Sequence, residues 1–245
     1  MTMRIFLACF LITVIGFLFF EYIRMSQLIR VAGELSERAV PFSRDLPGAT
    51  LKILVLGDST GAGVGASAPE FSLAGLTAKR YADAQIVNVS VSGARMRDAR
   101  QQLAGVKDTD FDLVMMHIGG NDAIRFTDNE QFAIDFALLM RGATEKGDYV
   151  LVTSTGDIGT VPFFPWGTRW IFARRGYKIR EMMMAEVARY DSATVRYTDL
   201  FRERAEDPFA LDPVRFYAAD NFHPSDAGYA EWFVLMSKEL ETFSI

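Results

Sequence analysis

Apolar residues fall along this chain in three textures. The first is a block: Ile5 to Phe20 reads IFLACFLITVIGFLFF without a charge, preceded by Arg4 and followed by Glu21, Tyr22, Ile23 and Arg24. A helix crossing a bilayer needs about 20 apolar residues, with roughly 17 as a working minimum. Extension through Tyr22 and Ile23 reaches that length when Glu21 sits at the interface. The second is a stripe over residues 26–40, where Leu28, Val31, Leu35 and Ala39 recur at helical spacing between Glu34, Glu37 and Arg38. It predicts a short amphipathic helix beside the membrane or docked on the body. Pro41 and Pro47-Gly48 end it. The third texture, from Leu51 onward, alternates short apolar runs with longer helical patterns. The runs are Leu51–Leu56, Ile86–Val89, Phe111–Ile118, Tyr149–Thr153 and Thr194–Tyr197, and helices are predicted at about 70–82, 95–104, 129–143, 176–190 and 225–241. Thr127 and Glu130 suit a capping box for the third of these helices. Strands alternating with helices imply right-handed crossovers and a parallel sheet covered on both faces. Near-continuous apolar strands fit that burial. The chain therefore divides into an anchor or signal segment (1–24), a juxtamembrane helix and linker (25–48) and one α/β body of roughly five strands (49–245).

Composition narrows the function classes. The 245 residues carry a formal net charge of −5 and 23% charged side chains, an ordinary globular balance without the basic face that nucleic acid requires. Cys9 is the one cysteine, so no internal disulfide and no cysteine-based zinc site forms. His117 and His223 are the two histidines, too few for a multi-histidine metal site. For the amino-terminal block, Phe19-Phe20-Glu21-Tyr22 offers no small-x-small cleavage site, which favours an uncleaved membrane anchor over a signal peptide. Arg4 flanks one side and Arg24, Arg30 and Arg38 the other. Positive-inside counting leans to a cytoplasmic body, while a signal anchor that exports its domain is the rival, so the side of the membrane stays open.

In open α/β sheets, ligands bind at the carboxyl ends of the strands. Those ends carry Gly57-Asp58-Ser59-Thr60-Gly61, then Asn88 to Gly93, then Gly119-Gly120-Asn121-Asp122; the last piece, Asp220-Asn221-Phe222-His223-Pro224, precedes the final helix. Together they supply an acyl-transfer site. A serine hydroxyl needs a base to take its proton. His223 suits that role for Ser59, with Asp220 fixing its tautomer. The Ser59 and Gly93 amides and the Asn121 side chain are candidate donors to an oxyanion.

These four blocks, in this order, resemble the SGNH (GDSL) hydrolase superfamily over about residues 51–241, with Thr60 where that family usually has leucine. The resemblance implies a flavodoxin-like α/β/α sandwich and hydrolysis of esters or thioesters without a metal or organic cofactor. Gly57-Asp58-Ser59-Thr60-Gly61 also matches the G-x-S-x-G elbow of α/β-hydrolases. A serine after the first strand and an aspartate three residues from the histidine argue against that fold. No Lys-Ser/Thr follows the glycines as a phosphate loop requires.

Several other residues have roles to assign. Asp58 reads as a brace of its turn, Asn88 as a partner for backbone groups beside the site, Asp122 as a loop brace or helix cap, and His117 as a satisfied core histidine. Residues 156–176 crowd Phe163, Phe164, Trp166, Trp170 and Phe172 beside Arg169, Arg174, Arg175, Lys178 and Arg180. Phe163, Phe164 and Trp166 are candidate acyl-binding residues or a membrane-facing lip; a hydrophobic plug packed on the body is the equal alternative. The sequence thus points to a membrane-anchored serine hydrolase acting on a small-molecule or lipid ester, a lysophospholipid first. Carbohydrate O-acetyl esters and thioesters are the next substrates, and a non-catalytic ligand-binding module of the same fold is the rival class.

Overall fold

The structure, a computed structural model, describes residues 2–245. Its first element is a single helix, α1 (Thr2–Arg38). The predicted amphipathic helix over 26–40 is the second half of α1, with no break at the predicted 24/25 boundary. The first proline of the chain is Pro41, so nothing stops the backbone ladder earlier. Glu34 ties that half together by pairing with Arg30 at 2.8 Å and Arg38 at 3.3 Å, each one helical turn away.

The body is a five-stranded, all-parallel sheet in the order β2-β1-β3-β4-β5. The strands are β1 (Leu51–Gly57), β2 (Ala84–Asn88), β3 (Phe111–His117), β4 (Gly147–Thr153) and β5 (Val195–Thr198). Each lies within a few residues of its predicted run, because long apolar runs bounded by polar turns have few other ways to be buried. The longer helices are α3 (Leu73–Arg80), α4 (Met96–Gly105), α6 (Asn129–Lys146), α7 (Arg169–Val187) and α10 (Asp226–Leu240). One-turn helices α2 (Ser59–Ala62), α5 (Gly120–Ile124), α8 (Pro208–Leu211) and α9 (Pro213–Phe216) fill the loops at the carboxyl edge. On one face of the sheet, Val114, Met116 and Val152 pack with Leu103 of α4, Phe132 and Phe136 of α6, and Ile179 and Met183 of α7. On the other, Ile53, Val55, Leu113, Met115 and Leu151 pack with Leu73 and Ala74 of α3 and Tyr229 and Met236 of α10. Two buried faces make the chain a three-layer α/β/α sandwich, as the alternation of elements predicts.

Two local predictions change. Helix α6 is capped by Asp128, whose carboxylate accepts the Glu130 and Gln131 amides at 3.0 Å, so the Thr127–Glu130 box is not used. One carboxylate there satisfies two first-turn amides at once. Helix α7 begins at Arg169 rather than near 176, because Arg169 folds back to donate to the carbonyls of Phe164 and Pro162 and starts the helix under the aromatic cluster. The linker after α1 also has a defined place. Arg44 exchanges backbone hydrogen bonds with Ile86 of the edge strand β2, and its guanidinium donates to the carbonyls of Ala78, Tyr81 and Ala84. The exposed sheet edge is thereby covered.

Candidate active site

Strand β1 ends on Gly57 at a φ of +145°, where a Cβ would lie 2.0 Å from the His117 carbonyl oxygen. Only glycine lets β1 leave the sheet against β3 here. The chain then enters α2. Asp58 caps it, its carboxylate accepting the Thr60 amide at 2.9 Å and the Thr60 hydroxyl at 2.8 Å, as the sequence predicts for a turn brace. Ser59 is the first residue of the helix, and a first-turn amide has no acceptor within its own helix. Asn88 closes the next loop: its side chain donates to the Gly61 carbonyl and accepts the Ser90 amide. Asp122, following Asn121 in α5, accepts the Met96 amide at 2.8 Å and so braces the start of α4.

The loop before α10 turns on Asn221, whose φ is +56°, a conformation asparagine tolerates better than most residues. This turn folds Asp220 and His223 onto each other. Asp220 Oδ2 lies 2.6 Å from His223 Nδ1, while Oδ1 accepts the Phe222 and His223 amides at 3.0 Å each. Asp220 is fully buried. Burial alone would push its carboxyl up, but the His223 ring and the two amides outweigh it and hold the carboxyl below its usual value. A carboxylate fixed in this way leaves Nδ1 as the hydrogen-bonded nitrogen and Nε2 free for other work.

Ser59, Asn121 and His223 line one cavity, with Asp58, Thr60 and Gly120 beside them. It has a free volume of about 640 Å³, its open mouth included, and an apolar wall of Ile158, Val161, Leu200, Phe209, Phe222 and Trp232. No hydrogen bond joins Ser59 to His223 among the described residues. Such bonds are often long before a substrate is bound. Burial pushes the Asp58 carboxyl up to about 6 against the pull of Thr60 and the nearby His223.

Gly93 lies in the turn after β2 with a φ of +80°, outside the residues that line the cavity. Phe163, Phe164 and Trp166 are not on the wall either. Phe164 is buried, stacked on Phe172 with ring centroids 3.9 Å apart, and Trp166 is 82% exposed. Phe163 instead stands behind the wall: its amide donates to the Asn221 carbonyl and its ring lies 5.3 Å from that of Phe222. The segment therefore packs against the histidine loop. The wall residues Phe209 and Trp232 carry no local signal in the sequence, because they sit in α8 and α10 and reach the cavity through the fold.

His117 departs from its expected role. It is buried at the end of β3, yet neither ring nitrogen has a hydrogen-bond partner among the described residues. With no partner for a proton, burial pushes its pKa down to about 4 and keeps the ring neutral.

A curated GDSL-like esterase from Mycobacterium tuberculosis is 24% identical over 200 residues, which cover 79% of this chain but only 60% of that protein. Among solved structures, TesA superposes with a TM-score of 0.59 at 22% identity, covering 78% of this chain and 98% of TesA. Phospholipase A1 from Streptomyces albidoflavus gives 0.58 at 15% identity, covering 77% of this chain and 99% of the enzyme. These likenesses support the sandwich fold. Residues 55–231 match the profile of the GDSL-like lipase/acylhydrolase family, and the chain belongs to that family.

Proposed function

We propose that the chain is a carboxylic-ester hydrolase that works through an acyl-enzyme on Ser59. The observation that carries this reading is the buried Asp220–His223 pair, 2.6 Å apart, whose histidine lines the cavity that also holds Ser59 and Asn121. In this mechanism Ser59 Oγ attacks the ester carbonyl carbon as His223 Nε2 takes the hydroxyl proton. The carbonyl π electrons move to the oxygen, which the Ser59 amide and the Asn121 side chain stabilise. Collapse of the tetrahedral adduct expels the alcohol oxygen, protonated by His223, and leaves the acyl group on Ser59. Water activated by the same ring then releases the acid. Asp220 keeps Nδ1 protonated throughout and stabilises the imidazolium as it forms.

The apolar wall favours a hydrocarbon acyl group over a sugar, and a lysophospholipid or other lipid ester is the proposed substrate. The amino-terminal half of α1 is read as an uncleaved bilayer anchor, since it is long, apolar and unburied. The test is hydrolysis of p-nitrophenyl esters from acetyl to palmitoyl by the detergent-solubilised full chain. The expected result is a preference for medium or long chains, no turnover by Ser59→Ala, and a loss of about 10²–10³-fold in turnover for Asn121→Ala. An acetyl optimum would favour an O-acetyl esterase. Inactivity of folded protein on every ester and thioester would leave a ligand-binding module.

A further inference from the structure

The two halves of α1 have different surroundings. Before Glu21 the apolar side chains are largely exposed, among them Phe6, Phe10, Ile12, Phe17, Phe19 and Phe20. From Glu21 onward the helix is docked on the body. Glu21 and Arg24 pair at 2.8 Å, and the Arg24 guanidinium donates to the carbonyls of Pro162 at 3.1 Å and Phe163 at 3.2 Å. Leu28 is buried, and Ser36 Oγ meets Ser92 Oγ at 3.0 Å in the turn that carries Gly93. From Arg24 to Ser36 the helix advances about 18 Å at 1.5 Å per residue. It thus runs along the carboxyl edge of the sheet from the aromatic segment to the Gly93 turn. The apolar half leaves the body within a turn of Pro162.

The residues at that exit point are unusual for a surface facing water. Arg169 donates to the same Pro162 carbonyl at 3.2 Å, and on either side of it Trp166 and Trp170 are 82% and 66% exposed. The Trp170 indole N–H is satisfied within its own turn by the Gly167 carbonyl, so its outward ring needs no water partner. Arg174 is exposed one turn further along α7. Indoles with arginines beside them suit the headgroup level of a bilayer, where amphipathic rings settle and cations meet phosphates. We propose that Trp166 and Trp170 form a lip seated in the lipid headgroup layer, held there because Arg24 fixes the exit of the membrane helix to Pro162 and Phe163. Phe163 in turn donates to Asn221 of the histidine loop, so the cavity is kept at the membrane surface, where an ester with one end in the bilayer reaches it. The proposal rests on the reading of α1 as a bilayer anchor.

The test uses the full chain in phosphatidylcholine–phosphatidylglycerol vesicles whose acyl chains are brominated near the headgroup, a contact quencher of indole fluorescence. The chain has three tryptophans, and the third, Trp232, lines the internal cavity. Strong quenching in the wild type, almost entirely lost in Trp166→Phe/Trp170→Phe while that variant still floats with the vesicles, is the expected result. Wild-type protein that floats without quenching, or a double variant quenched as strongly as the wild type, overturns the lip and leaves the anchor standing. Failure of the wild type to float overturns the anchor and the lip with it. None of these readings depends on esterase activity.

Discussion

Asp220 makes three hydrogen bonds that all act on one outcome, the tautomer and orientation of His223. Asp220→Asn keeps the shape of the turn but presents the wrong group to Nδ1. It is expected to lower turnover by about 10⁴-fold with little change in the unfolding midpoint; a loss of less than tenfold would remove Asp220 from the mechanism. Asp58 and His117 make opposing contributions to the acid response of the fold. The folded pKa of Asp58, about 6, lies above its ordinary 3.8, so the native state holds a proton that the unfolded chain releases; that contribution is present at low pH and is lost as pH rises through 6. His117 works the other way: its folded value, about 4, lies below 6.5, so its contribution is present above pH 6.5 and is lost as pH falls towards 4. Between about pH 4 and 6 the two slopes oppose each other. Asp58→Asn removes the compensating one, and its urea midpoint should fall more steeply from pH 6 to 4 than that of the wild type. Parallel slopes would contradict the assignment. The charged state of His117 is a property the sequence does not reveal, since whether a strand histidine finds a partner depends on residues brought up from other strands.

At the scale of the elements, β1, α2 and the turn before α10 position the proposed nucleophile and base. Gly57→Ala puts a Cβ against the His117 carbonyl oxygen and an L side chain at a φ of +145°. The expected cost is about 2–4 kcal/mol, read from the denaturant midpoint; a neutral substitution would mean that the β1–β3 contact is looser than described. Five strands and the long helices were legible from periodicity because each buries a continuous apolar face. The one-turn helices were not, since four or five residues cannot show a 3.6-residue period. Ser59, Asn121 and His223, which line one cavity, were legible because their blocks are contiguous, the first two just after strands and the third just before α10. Phe209 and Trp232 were not, because the cavity wall is assembled from helices far apart in the chain. The aromatic segment stayed open between its readings for a related reason: exposed and buried rings look alike in sequence, and here Phe164 packs inward while Trp166 points out.

The whole molecule is a sandwich whose reactive edge is also the edge along which α1 runs. The order of elements was readable from the alternation of strand and helix. The docking of α1 was not, because Arg24 and Ser36 meet residues more than fifty positions away. Activation of Ser59 by His223 can be read out with a fluorophosphonate, which forms a stable bond with an activated serine. The folded full chain would be treated in detergent and the adduct located by mass spectrometry of its peptides. One adduct is expected, on Ser59, absent in Ser59→Ala and formed far more slowly in His223→Ala. No adduct, an adduct on another residue, or labelling at an unchanged rate without His223 would contradict it.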